Sequence, residues 1–186
     1  MCRPSTPAGR CGGGTRTGSW SARAAGAGRR TSTSATRRWR CRRRGSGGRR
    51  LIQATSNGTR GLARHPRAAA LLAVSAPNVA ATARWIGANH AGAPCALVCT
   101  GDTAEDLACA RYLAGLLGGA GPSPADLVAG ILAGAAEHAR GYARLPAPDR
   151  VDLSGDIPFC RDVDRSAFAM VGDVGPDGVT LVTVAC

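Results

Sequence analysis

An α/β protein with a mainly parallel sheet and a C-terminal β-hairpin, behind a disordered N-terminal head, is the fold class that this sequence predicts. From Leu51 onward, short apolar runs of strand length alternate with segments of helical periodicity. Near the C-terminus two β-rich runs flank a Pro176-Asp177-Gly178 turn. The first fifty residues, by contrast, hold almost no aliphatic side chain beyond alanine.

That head, Met1 to Arg50, carries fourteen of the 24 arginines and no Asp or Glu. The net charge of +12 therefore belongs to the head; residues 51–186 set ten arginines against twelve carboxylates and are mildly acidic. A stretch so poor in apolar surface cannot offset roughly 1–2 kcal/mol of backbone entropy per residue, so residues 1–50 are expected to be disordered. The head has no continuous apolar segment of the kind a secretory signal needs, and no later run is long enough to span a membrane. Residues 51–186 suffice for one domain with a core. Arginine without lysine, amid abundant Ala and Gly, is what a GC-rich coding sequence yields. Fourteen arginines would neutralise nucleic-acid phosphates non-specifically, but Trp20 and Trp39 are the head's only aromatics and no stacking motif accompanies them. A nucleic-acid partner is not expected.

Eight cysteines are present, none in a Cys-x-x-Cys pair, and His65, His90 and His138 show no ligand spacing. The reading is buried free thiols in a cytoplasmic protein, without zinc.

The first strand is Leu51 to Ala54, leading into the polar cluster Thr55, Ser56, Asn57, Gly58, Thr59, then Arg60 and Gly61. Thr59 to Pro66 reads as a short helix or turn stopped at the proline. Ala68 to Val74 is a second strand-length run, although its alanines also suit a helix. Ser75-Ala76-Pro77 starts a helix over Asn78 to Asn89, with Val79, Ala83 and Ile86 on one face. Pro94 to Cys99 is a third strand candidate, its proline tolerable as the first residue. In the next junction, Thr100 to Asp106, Thr103 is placed to cap a helix with Asp106 at its third position. Leu107, Ala110, Leu113, Leu116 and Leu117 form the stripe of that helix, closed by Gly118-Gly119. Ser123-Pro124 opens a long helix to about Arg144, whose stripe is Leu127, Ile131, Leu132, Ala135 and His138, with Pro146 and Pro148 beyond it. A short helix is expected near Phe159 to Asp164. Strands over Ala167 to Val171 and Val179 to Val184 make the terminal hairpin.

Two polar junctions thus follow strand candidates, where open α/β sheets bind ligands. The first, TSNGT, offers hydroxyls, an amide, a glycine that admits close backbone approach, and the Arg60 guanidinium: groups that bond phosphate oxygens. The same residues also fit a type I′ turn at Asn57-Gly58. The second junction holds Asp102, Glu105 and Asp106, which suit either a hard cation or the capping of the helix that follows.

From Leu51 onward the chain resembles the 2-phosphosulfolactate phosphatase family in its actinobacterial form. The residues that carry the resemblance are LIQATSNGTRG from Leu51, ATARW at Ala81 to Trp85, LVCTGDTAEDLACARYLAGLL from Leu97, and DVDR at Asp162 to Arg165 with the hairpin. It implies a three-layer α/β/α fold and a Mg²⁺-dependent phosphatase. Such an enzyme converts 2-phospho-3-sulfolactate to 3-sulfolactate and phosphate, in coenzyme M biosynthesis where that pathway exists. By matching motif, Thr55, Ser56, Asn57, Gly58 and Thr59 would contact phosphate, and Glu105 with Asp106 would lie near the metal. Arg60 would add a bidentate contact to phosphate or sulfonate. General acid and base stay unassigned, and the oligomeric state is open, a homo-oligomer included. Family chains also carry an FDLGNSP-like segment before the first of these motifs, which is not present here. Read one base out of frame, the codons of Thr31 to Arg38 permit that segment in order, so the head is expected to be an out-of-frame translation joined to a genuine C-terminal part.

Overall fold

In the computed structural model of this chain the described residues are 21–24, 33–34, 51–54, 58–146, 154–176 and 178–186. β1 (Ser21–Ala24), β2 (Thr33–Ser34) and β3 (Leu51–Ala54) form an antiparallel sheet in the order β2-β1-β3. β3 is the strand expected at Leu51; its partners come from the head, the rest of which lies outside the described residues. Next come α1 (Gly58–Ala63), β4 (Leu71–Ala73), one 3₁₀ turn over Ala76–Asn78 and α2 (Val79–Asn89). α3 (Ala104–Gly118), α4 (Pro124–Ala143) and the single-turn α5 (Ile157–Cys160) lead to the hairpin of β5 (Phe168–Gly175) and β6 (Gly178–Ala185).

The hairpin is longer than its apolar pattern. Pairing runs from Phe168↔Ala185 to Gly175↔Gly178, leaving a two-residue connection, and Gly178 takes φ 120°, a left-handed value open to glycine. β4 joins the other edge of β5, with Leu71 opposite Gly172 and Ala73 opposite Met170. This second sheet is therefore β4-β5-β6, antiparallel throughout.

The expected parallel sheet is corrected here: every strand pairing among the described residues is antiparallel. The reason is topological. A parallel sheet needs its crossovers to bring successive strands side by side, whereas β3 pairs with β1 and β4 pairs with the tail. The third candidate, Pro94 to Cys99, is not a strand. It carries no regular structure and is exposed along its whole length, as an apolar run is when no neighbour accepts its hydrogen bonds.

The core lies between helices. Ala76, Val79, Tyr112, Leu113, Leu127 and Ile131 form one buried cluster, with Ala83, Ala108, Cys109, Cys160 and Val163 packed against it. Ala169 of β5 is fully buried as well. The leucine stripes are narrower than their periodicity: Leu107, Leu116, Leu117 and Leu132 are exposed, because each helix meets its neighbour along one small-residue seam. A Cβ at Gly130 would run into Ala108 and one at Gly134 into the Glu105 carboxylate, so α3 and α4 approach closely there. The tail locks onto α2: Asp164 accepts from the Ala80 N–H at 2.8 Å, and its own N–H donates to the Ala76 carbonyl at 3.0 Å. That carboxylate takes one of the orphan donors of the first turn of α2.

Candidate anion-binding cleft

The first polar junction turns into helix at Gly58, and α1 ends at Ala63 ahead of Pro66, where the residue before proline leaves helical backbone. Arg64 folds back, its N–H donating to the Gly61 carbonyl at 3.2 Å, and His65 does the same to Leu62 at 3.3 Å. The second junction passes alongside. A Cβ on Gly61 would lie 2.5 Å from Thr100 Cγ2, so only glycine lets the two segments touch here.

Between them opens a cleft of about 210 Å³, lined by Arg60, Gly61, Arg64, His65, Val98, Cys99 and Thr100. Its lining contains two guanidiniums and an imidazole and no carboxylate. Arg60 and Arg64 are exposed, and among the described residues neither has an ion-pair partner. Both charges are thus free to meet an anion from solution.

Of the residues expected at the phosphate, Arg60 lines this cleft, while Gly58 and Thr59 sit in the first turn of α1, both half-buried. Thr55, Ser56 and Asn57 lie outside the described residues. Arg64, His65, Cys99 and Thr100 are lining residues that the motif reading did not single out. No local signal marks Arg64: α1 ends at Ala63, and Arg64 reaches the cleft through the turn that its N–H closes onto Gly61.

The acidic junction is organised differently from expectation. Thr103 has the extended backbone of a cap, but its side chain makes no capping bond. Asp106 turns back instead and accepts from the Gly101 N–H at 2.6 Å, pinning the segment that follows Thr100. Glu105, one residue earlier, points to the opposite neighbour. Its Oε1 lies 3.0 Å from His138 Nε2, and its Oε2 is buried against Gly134 without a hydrogen-bond partner. Asp102 is exposed. Glu105 and Asp106 therefore do not converge, and no group of three or more His, Cys, Asp or Glu placed to hold a metal occurs among the described residues. This carboxylate pair does not fit a shared Mg²⁺ ion.

The thiols are also more open than expected. Cys95, Cys99 and Cys186 are exposed, and Cys109 and Cys160 are half-buried. Burial first, then the charge of Asp106 and the neighbouring Cys99, pushes the Cys109 thiol up to about 11. His138, on the apolar stripe of α4, is half-exposed and stacked on Tyr142.

A family model described as 2-phosphosulpholactate phosphatase matches residues 39–173, well over half of the chain. The chain belongs to the 2-phosphosulpholactate phosphatase family. The match takes in both polar junctions and the cleft between them, and it ends inside β5. No curated protein and no solved structure matched the chain. Membership makes the chain a phosphatase by family, a hydrolase of phosphate esters. No helix among the described residues is long and apolar enough to cross a membrane.

Proposed function

We propose that this chain hydrolyses 2-phospho-3-sulfolactate, or a similar small phosphate ester, to the free hydroxy acid and phosphate. The observation that carries this reading is the carboxylate-free cleft between the two junctions, with Arg60 on its wall and membership of a phosphatase family around it. A cleft of about 210 Å³ is below the common 300–1,000 Å³ of drug-sized pockets, which favours a compact ester over a nucleotide.

In this reading Thr55, Ser56, Asn57, Gly58 and Thr59 surround the phosphoryl group with amide and hydroxyl donors, and Arg60 faces its oxygens. A water oxygen attacks phosphorus. The bond from phosphorus to the substrate's C2 oxygen breaks, and that oxygen leaves with the electron pair and takes up a proton. Charge on the three equatorial oxygens is what a fixed guanidinium stabilises. Asp106 keeps the opposite wall in place through Gly101. Magnesium dependence belongs to the proposal as well; Mg²⁺ would draw its ligands from beyond the Glu105–Asp106 pair, in which Glu105 packs against Gly134 and Asp106 holds Gly101.

Phosphate release from 2-phospho-3-sulfolactate, measured with Mg²⁺ and again after chelation, tests both parts. Turnover that chelation abolishes is the expected result. Turnover that survives chelation would remove the metal requirement, and no release under either condition would overturn the hydrolase reading for this chain.

A further inference from the structure

Two positive side chains that line one opening with no acidic partner repel each other, and a bound anion relieves that cost. Arg60 and Arg64 form such a pair, and both line the cleft. A single phosphoryl group occupies Arg60 and the donors that precede it in the chain. That leaves Arg64 and the adjoining His65, four and five positions further along the same wall, with nothing to neutralise in a substrate whose only charge is the phosphate.

We propose that Arg64, assisted by His65, holds a second acid group of the same substrate, a carboxylate or sulfonate, and so selects phosphate esters that carry another negative charge. This rests on the phosphatase reading and adds to it a specificity-determining residue outside the motif that binds phosphate. The geometry suits the role. The N–H groups of Arg64 and His65 are tied back to Gly61 and Leu62, which fixes the turn carrying both side chains. A guanidinium offers a planar fork that grips either acid group through two parallel hydrogen bonds, and an imidazole N–H donates in both of its charge states. Val98 forms the apolar part of the lining, suited to a short carbon skeleton between the two anionic ends.

Two measurements separate this inference from the reading beneath it. The first compares kcat/KM for 2-phospho-3-sulfolactate, 2-phospholactate and ethyl phosphate, which carry two, one and no acid groups besides the phosphate. Arg64→Ala is expected to lower the ratio of 2-phospho-3-sulfolactate to ethyl phosphate by about tenfold, the worth of a charge-assisted hydrogen-bond pair, chiefly through KM. Arg64→Lys recovers part of it. An equal loss for 2-phospholactate identifies the carboxylate as the group held, and a loss confined to 2-phospho-3-sulfolactate identifies the sulfonate. Arg67→Ala removes the same charge outside the cleft and leaves the ratio as it was. An unchanged ratio in Arg64→Ala overturns the inference while the phosphatase reading stands.

The second measurement needs no turnover. Cys99 lines the cleft and is exposed, so its alkylation rate reports occupancy. In Arg64→Ala the concentration of 3-sulfolactate that halves this rate should rise about tenfold relative to that of inorganic phosphate. If no ester is hydrolysed yet this shift occurs, the phosphatase reading fails and the second-anion site holds; if the two ligands shift together, the second-anion site fails.

Discussion

At Gly61 a single missing methyl decides whether two loops can share a cleft. Replacing it with alanine brings two opposing effects. Alanine favours helix over glycine by about 1 kcal/mol, while crowding Thr100 Cγ2 costs about 1–3 kcal/mol where neighbours cannot yield. Thr100 is exposed and can move, so the fold should change little while the cleft walls part. Gly61→Ala is accordingly expected to weaken phosphate binding with a near-constant Tm. Adding Thr100→Ser, which deletes the offending methyl, should restore binding. Loss of binding that the second substitution fails to restore would count against steric separation as the cause. The thiols give a second check at this scale. Cys109, pushed up to about 11 and half-buried, stays protonated at neutral pH, whereas Cys95 and Cys99 are exposed. Alkylation followed by mass spectrometry should therefore label Cys99 and Cys95 well before Cys109, since the thiolate is the reacting species. Equal rates at Cys99 and Cys109 would show that the burial behind the cleft is not as described.

Among the elements, α4 was the most legible in advance, because its start is decided within four residues. Ser123 and Asp126 exchange hydrogen bonds: the Asp126 N–H reaches Ser123 Oγ at 3.3 Å, and the Ser123 N–H reaches Asp126 Oδ2 at 2.8 Å. Pro124 occupies the first turn, as its sequence position foretold. The bond from the Ser123 hydroxyl, then that from its backbone, holds the Asp126 carboxyl below the ordinary carboxylate value. A depressed folded-state value means that the stabilising contribution is present above the unfolded value of about 3.9 and is lost as pH falls through the folded value. Ser123→Ala should raise the Asp126 titration midpoint seen by carboxyl NMR. It should also lower Tm at pH 7, and the gap to the parent should narrow below about pH 4, down to what the Asp126 N–H bond to Ser123 Oγ contributes. A gap that stays constant down to pH 2 would sink the link between cap and carboxylate. The helix at Ala104 carried the same kind of signal, yet Asp106 bonds to Gly101 instead of capping through Thr103. There the carboxylate finds its partner five positions back within the same junction, a contact that the capping pattern does not encode.

The features that the sequence left hidden are those that depend on distant partners. Asp164 reaches the Ala80 N–H across 84 positions, and β4 finds its edge on a hairpin about a hundred residues later. Neither pairing leaves a local trace, so AAALLAV and PCALVC both read as strand-length runs although only the first contains a strand with a neighbour. Likewise, motif spacing placed Arg60 near phosphate, but only the fold brings Arg64, His65 and Thr100 to the same opening. Charge is the property of the whole chain that both levels share. The protein carries +12 overall, with an isoelectric point near 10.8, while its arginine excess sits in residues 1–50. A field of that sign attracts multiply charged anions over distances that salt cuts to roughly 10 Å at 0.1 M. The cleft's own guanidiniums act at contact range and are screened far less. Hence kcat/KM for 2-phospho-3-sulfolactate should fall several-fold as salt rises from about 0.01 to 0.15 M, while that for ethyl phosphate falls less steeply. Equal slopes for the two esters would mean that the chain's positive charge plays no part in gathering substrate, and that the cleft works by contact alone.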